Sequence, residues 1–429
     1  MPHEHAFMAP QESEHPSKEI LDVNQIASSF YANVERENVV GASLIVVNKK
    51  DILLSCTHGV QNNVTQETVS SHTLFPIASI TKHVGAVLLC LMEEDGHLSL
   101  NDPLQKHLPD IQIGPKELFE RIKCVDLLTH GIGLSSKDQP SKQILQERGM
   151  EAIFDYLKNA VPTVPYHTFY DYVNVPYALI PLLIEKFYGV DVETFAQQRV
   201  FSPLGMEHST FMHAHSSDIT TCYAKEYISN AQNTEKKWSG KWEESPLPHL
   251  PMYALAGGLL SSSHDMAKWL QWHLRGSWLC HEKTPSITVE IMKKLRLGEE
   301  KNTPPFSVIQ KLYTPSMRID PVPNYDVALR STHDYGLRDY GLGLKLAMRS
   351  EFEPPLVLEK NLDFPIFCMH EGSLSQARST VLICPKHNLA AIMMTNCGGQ
   401  DTSSHVMFDI MDHVLAFDQL SVIPLRTFQ

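Results

Sequence analysis

The chain has 429 residues and a net charge of −13, with 43% hydrophobic and 20% charged residues. A single core stops growing near ~250 to 300 residues, so two lobes or one domain with an insertion are expected, and the composition excludes wholesale disorder. No Lys/Arg cluster offsets the negative balance, which argues against nucleic acid and anionic lipid as partners, and the strongly apolar stretch Val84 to Met92 is far shorter than the ~18 to 20 residues of a bilayer crossing.

Residues 1–20 read as a flexible polar tail, rich in His, Glu and Pro and without the basic start and apolar core of a secretory signal. His3 and His5 make a poor terminal metal site, because Pro2 has no backbone N–H to give up to a metal. The eight cysteines are scattered without a C-x-x-C pair, mostly among apolar neighbours, and read as reduced buried thiols. With the missing signal, this points to a cytoplasmic protein.

Gly41 to Asn48 and Asp51 to His58 are β-branched apolar runs around Lys49-Lys50, the pattern of a hairpin. A second hairpin is expected from Arg378 to Cys384 and Leu389 to Asn396, around the turn formers Pro385-Lys386-His387-Asn388. The two can join in one antiparallel sheet, with a helix from Ser403 to Leu415 on one face. Between them the spacing predicts helices over Ile80 to Glu94, Val125 to Thr129, Met150 to Asn159, Val175 to Phe187, Val192 to Val200, His264 to Leu274 and Ser286 to Leu295. The stretches from His213 to Pro251 and from Leu297 to Tyr340 read as long loops. The expected organisation is a sheet region, 21–75 with 285–429, and a mainly helical region, 76–284, with a cleft between them.

Ser79-Ile80-Thr81-Lys82 opens the apolar helix. Positions i and i+3 of a helix lie about 4.5 Å apart along the axis and about 60° apart around it, so Lys82 can reach the Ser79 hydroxyl. A serine needs such a base, and donors for the developing oxyanion, to act as a nucleophile. Alone, a serine three before a lysine more often marks a capped helix with a surface lysine. Here the helix that follows is apolar nearly all round, so a lysine at its start needs a reason.

Tyr172-Val173-Asn174 opens the Val175 helix and can aim a phenol and an amide at a cleft; a tyrosine beside a lysine can also lose its proton more readily. Tyr31-Ala32-Asn33 repeats the pattern and is read as meaningless. His370-Glu371-Gly372-Ser373 precedes the second hairpin. Gly372 permits close approach in a strand, and the Ser373 amide can join that of Ser79 in an oxyanion hole.

Taken together, Ser79-x-x-Lys82, Tyr172-x-Asn174 and His370-x-Gly372 resemble the motifs of the serine β-lactamase and penicillin-binding-protein group, in particular the class C β-lactamases and family VIII esterases. Asp126 to His130, Ser202 to Met206, Ala256 to Leu259 and Tyr340 to Gly343 are similar to structural signposts of that group, from about Ile26 to about Leu415. The resemblance implies an α/β fold of the α+β type: an antiparallel sheet flanked by helices with a mainly helical insertion. Ser79 would be the nucleophile, Lys82 and Tyr172 would share base and acid duty, Asn174 would hold the substrate, and the amides of Ser79 and Ser373 would bind the oxyanion. No metal or organic cofactor is implied.

The third motif departs from the usual lysine. His370 carries little charge at pH 7 by its reference pKa, and Glu371 would repel an anionic substrate if it faced the cleft. Both favour a small ester or amide over a β-lactam or peptidoglycan. The leading expectation is a serine hydrolase of the esterase kind. An acyltransferase shares its first half-reaction, a β-lactamase or D-peptidase uses the same nucleophile, and an acyl-binding sensor would keep the same residues without turnover.

Overall fold

The computed structural model describes residues 21–168, 170–212, 226–229, 242–245, 248–277, 302–313, 316–318, 339–340, 342, 345–348, 365–374, 377–397 and 402–417. The expected tail, the Ser286 to Leu295 helix, Cys222 and Cys280 lie outside these residues. The six described cysteines are free and buried.

The strands, in chain order, are β1 (Gly41–Val47), β2 (Ile52–Gly59), β3 (Phe75–Pro76), β4 (Thr210–Phe211), β5 (Glu226–Ser229), β6 (Trp242–Ser245), β7 (Leu259–Ser261), β8 (Met317–Arg318), β9 (Asp339–Tyr340), β10 (Lys345–Met348), β11 (Pro365–Leu374), β12 (Ala377–Cys384) and β13 (Leu389–Thr395). Eight of them form one sheet in the order β2-β1-β13-β12-β11-β10-β9-β8. Both expected hairpins are present, and β1 pairs antiparallel with β13, so the two hairpins join as four neighbouring strands on one side of the sheet. Asn48 sets the first turn by accepting from the backbone N–H groups of Lys50 and Asp51.

Strand alternation divides the apolar side chains between two cores. Leu44, Val46, Ala391 and Met393 meet the helices α1 (Val23–Arg36) and, at the C-terminus, Thr402–Phe417. Ile45, Val47, Ala390, Ile392 and Met394 face the larger core beneath the helical segments. That core contains α2 (Thr81–Glu94), buried without interruption from Thr81 to Met92, then α3 (Met150–Asn159), α4 (Ile180–Tyr188) and α5 (Ser263–Gly276). Although α5 falls in the stretch 76–284, it packs on β1 and β13.

Helix α1 is absent from the sequence expectations, and Tyr31-Ala32-Asn33 lies on it, with Asn33 bonded to Ser29 and Arg36. The expected Val125 to Thr129 helix is present as a short 3₁₀ helix, Cys124–Leu128, and the segment Val192 to Val200 changes from α to π winding at Gln197. The two stretches read as long loops carry regular structure: β5 and β6 pair within His213 to Pro251, and within Leu297 to Tyr340 β8 pairs with β9 and Phe306–Leu312 forms α6, whose Phe306, Val308, Ile309 and Leu312 are buried. The C-terminal helix, here α7, extends the expected span by a residue or two at each end. None of the described helices is long and apolar enough to cross a membrane.

Candidate active site

The three motifs converge. Ser79 sits in a tight turn, Ala78–Ile80, between β3 and α2, and Ala78 before it takes a left-handed φ of 48°. Such a conformation costs an alanine of order 1 kcal/mol and persists only where the surroundings impose it. Here β11 crosses directly over the turn. A Cβ on Gly372 would stand 2.3 Å from the Ile77 carbonyl oxygen and 2.1 Å from Ser379 Oγ, so only glycine admits this approach. Ser379 Oγ itself donates to the Ile77 carbonyl at 2.8 Å.

One helical turn beyond Ser79, Lys82 is completely buried. Its Nζ donates to the Ala256 carbonyl at 2.5 Å and to Ser79 Oγ at 3.2 Å, and it lies 4.8 Å and 5.4 Å from the ring centroids of Tyr172 and Tyr177. The aromatic faces favour an ammonium, but burial dominates and drives the Lys82 pKa well below the usual 10.5. The amine is thereby prepared to accept a proton.

Tyr172 is held the other way. Its hydroxyl is buried and makes no hydrogen bond of full geometry, although the Ser79 hydroxyl is close enough to favour the phenolate somewhat. Burial outweighs that effect and Glu371 adds to it, so the Tyr172 pKa is raised above the ordinary 10. The expectation that a neighbouring lysine eases proton loss from Tyr172 is therefore corrected: the buried site penalises the phenolate, and Lys82 is not among the groups that ease its ionisation.

The ring of His370 lies 6.2 Å from that of Tyr172, which brings the second and third motifs together. His370 Nδ1 donates to the Glu371 carbonyl at 2.7 Å, fixing the tautomer that leaves Nε2 as an acceptor when the ring is neutral. Glu371 does not face the cleft: strand alternation turns its side chain to the opposite side of the sheet, where Oε1 accepts from Ser404 Oγ of α7. Asn174, Ser373, Ser79 and Gly257 line one cavity of about 360 Å³, walled by Leu145, Met212, Leu250, Tyr253 and Leu374.

A family model described as Beta-lactamase matches residues 26–416. The chain belongs to the β-lactamase family. Its relatives are distant: this β-lactamase-family chain is 21% identical over 285 residues to protein flp of Staphylococcus aureus (strain MW2), covering 65% of the chain and 54% of flp. It is 23% identical over 247 residues to the unguisins hydrolase ungD of Aspergillus violaceofuscus (strain CBS 115571), covering 56% and 43%. The chain thus spans about half the length of the curated relatives it matches. Among solved structures, the octameric penicillin-binding protein homologue from Pyrococcus abyssi superposes with a TM-score of 0.67 at 22% identity, over 91% of the chain and 78% of that protein. The α+β architecture expected from the resemblance is the one observed.

Three further residues of this β-lactamase-family site lie outside the motifs. Ala256 supplies the carbonyl that receives Lys82. Gln139 Oε1 accepts the Asn174 backbone N–H at 2.6 Å and so fixes the end of the Tyr172-x-Asn174 segment. His130 packs on Tyr172. Asp126 of the same signpost works behind the site, receiving the Lys123 backbone N–H and the Tyr166 hydroxyl and bonding His167 Nε2 at 2.6 Å.

Proposed function

We propose that the chain is a serine hydrolase that cleaves small esters or amides through an acyl-enzyme on Ser79. The reading rests on one observation above all: a fully buried Lys82 with its Nζ 3.2 Å from Ser79 Oγ, in surroundings that disfavour its ammonium form. Neutral Lys82 keeps one N–H on the Ala256 carbonyl and turns its lone pair to Ser79. It takes the hydroxyl proton as Oγ bonds to the substrate carbonyl carbon. The oxyanion is received by the amides of Ser79 and Ser373. Tyr172, held protonated, gives its proton to the departing alkoxide or amine and recovers one from Lys82. Water then attacks the acyl carbon, loses its proton to the same pair, and releases the acid with Ser79 restored.

The cavity wall of Leu145, Met212, Leu250, Tyr253 and Leu374 suits an apolar acyl or leaving group. His370 brings no fixed charge from the third motif, although Lys142 lines the same cavity; the apolar wall favours uncharged esters and amides over β-lactams. No metal or organic cofactor enters the steps, and the six free, buried cysteines among the described residues support a cytoplasmic location.

The test is fluorophosphonate labelling with nitrophenyl-ester turnover. Wild-type protein is expected to label and turn over. Ser79→Ala should lose both, and Lys82→Ala and Tyr172→Phe should lose ~10² to 10⁴ in rate. Unchanged activity in Ser79→Ala refutes the mechanism. A stoichiometric burst without turnover would instead make the site an acyl-capturing one.

A further inference from the structure

The Tyr172-x-Asn174 segment is held on both sides by one short turn. The backbone N–H of Ser136 donates to Asp171 Oδ2 at 3.1 Å, and Gln139 Oε1 accepts the Asn174 N–H at 2.6 Å. Ser136 and Gln139 also line the cavity at Ser79. Their neighbours Ser135 and Asp138 line a second cavity, of about 280 Å³, so the turn is a wall shared by the two.

The opposite side of the second cavity is the end of α3 and the chain that leaves it. Tyr156 donates its hydroxyl proton to the Ser135 carbonyl at 3.3 Å, which leaves the phenol oxygen as an acceptor. Asn159, whose Nδ2 donates to the Asp155 carbonyl at 2.8 Å, offers its amide oxygen. The Asp138 carboxylate completes a set of acceptors, and Leu134, Ala160 and Val161 supply an apolar floor. Among the described residues lining this cavity there is no lysine, arginine or histidine; Lys137 and Lys158 are exposed and outside it. The negative field is felt at Tyr156, where burial, then Asp138 and Asp171, raise the pKa to about 12. Asp171 Oδ1 is itself buried with no hydrogen-bond partner among the described residues, so acceptors outnumber donors behind the turn.

We propose that the cavity of Ser135, Asp138, Tyr156 and Asn159 binds a small organic cation with an apolar body, an amine or amidine, and that its occupancy tightens the Tyr172-x-Asn174 segment through the shared turn. The cationic N–H groups meet Asp138 and the oxygens of Tyr156 and Asn159, and charge-assisted bonds of this kind are roughly twice as strong as neutral ones. The body lies on Leu134, Ala160 and Val161. Asp138 is exposed, so the apolar contacts share the affinity with the ion pair. An anionic ligand meets only like charge here. A cation that fixes Asp138 also fixes Gln139, the next residue, and with it the Asn174 N–H.

The test is calorimetric titration of the full-length protein with benzamidine, with benzamide and benzoate as its neutral and anionic counterparts. Benzamidine should bind at least about tenfold tighter than either. Asp138→Lys reverses the charge, and Val161→Trp fills the cavity from the side away from the turn; each should weaken binding at least about tenfold, whereas exposed Glu151→Gln on α3 should not. Circular dichroism checks that the variants are folded. Hydrogen exchange read by mass spectrometry tests the coupling without recourse to activity: saturating benzamidine should slow exchange at least about twofold in peptides containing Ser136 and Asn174, in wild type and not in Val161→Trp. Absence of saturable binding, equal binding of the three probes, or undiminished binding in folded Asp138→Lys or Val161→Trp overturns the site. Binding with unchanged exchange at Ser136 and Asn174 overturns the coupling.

Discussion

The imidazole of His130 lies against the phenol of Tyr172, centroids 4.3 Å apart and planes 33° from parallel. Its backbone carbonyl receives the Asp171 N–H at 3.1 Å and its Nδ1 receives the Val173 N–H at 3.2 Å, so His130 grips the residues on both sides of Tyr172. An Nδ1 that accepts requires the ring proton on Nε2. Burial, and then Lys82, push the His130 pKa well below 6.5, which favours the neutral ring. The residue positions Tyr172 rather than exchanging protons with substrate. His130→Ala should therefore lower kcat by roughly 10² while fluorophosphonate labelling of Ser79 persists, since ~1 Å of misplacement costs about that much. An unchanged kcat would reduce the stacking to mere packing.

The opposed shifts of Lys82 and Tyr172 set a pH profile. A base must be unprotonated and an acid protonated, so kcat/KM for a non-titrating ester should rise as pH passes upward through the depressed Lys82 pKa. It should then stay level beyond pH ~10, because Tyr172 is raised above its reference value. Tyr172→Phe should lower the plateau and keep the acid limb. A rising limb centred near 10, as an ordinary lysine gives, would contradict the neutral-amine mechanism.

The crossing of β11 over the Ser79 turn makes a steric prediction. In Gly372→Ala the new methyl meets Ser379 Oγ and the Ile77 carbonyl, both well inside contact distance. Overpacking of this kind costs about 1 to 3 kcal/mol, and relief by withdrawing β11 would pull the Ser373 amide from Ser79. The variant should lose stability in chemical denaturation and most of its turnover. Adding Ser379→Ala removes one of the two clashes and leaves the backbone one, so it should restore stability in part and activity little. Full activity in Gly372→Ala would mean that the strand and the turn are not held this tightly.

These relationships were unevenly legible in the sequence. The hairpins of β1–β2 and β12–β13 follow from β-branched runs around turn residues, and α2 from an apolar stretch too uniform to be a surface helix. The motif residues could be read because serine, lysine, tyrosine and histidine carry chemistry in their side chains. Ala256 could not, since it acts through a carbonyl that every residue has. Helix α6 was hidden behind Pro304-Pro305, which reads as loop punctuation, whereas Pro305 stands immediately before the first helical residue. The direction of Glu371 was readable after all: if Gly372 must face Ser79, period-two alternation sends its neighbour to the other side of the sheet.

Next to Lys82, the histidine that follows it serves stability rather than chemistry. His83 stacks on His273 of α5, centroids 4.4 Å apart, and both are fully buried. Burial lowers the His83 pKa to about 3, and burial followed by the neighbouring His83 depresses that of His273. In the unfolded chain both titrate near the reference ~6.5, so below that pH the unfolded state binds more protons. Stability is then complete above about pH 6.5 and falls as pH drops from there toward 3, by at most about 1.4 kcal/mol per pH unit for each histidine. Urea denaturation at a series of pH values measures that slope. His83→Phe should keep the ring packing, remove one titrating group and flatten the curve between pH 6.5 and 4. An identical slope in wild type and variant would show that His83 is not buried in its neutral form.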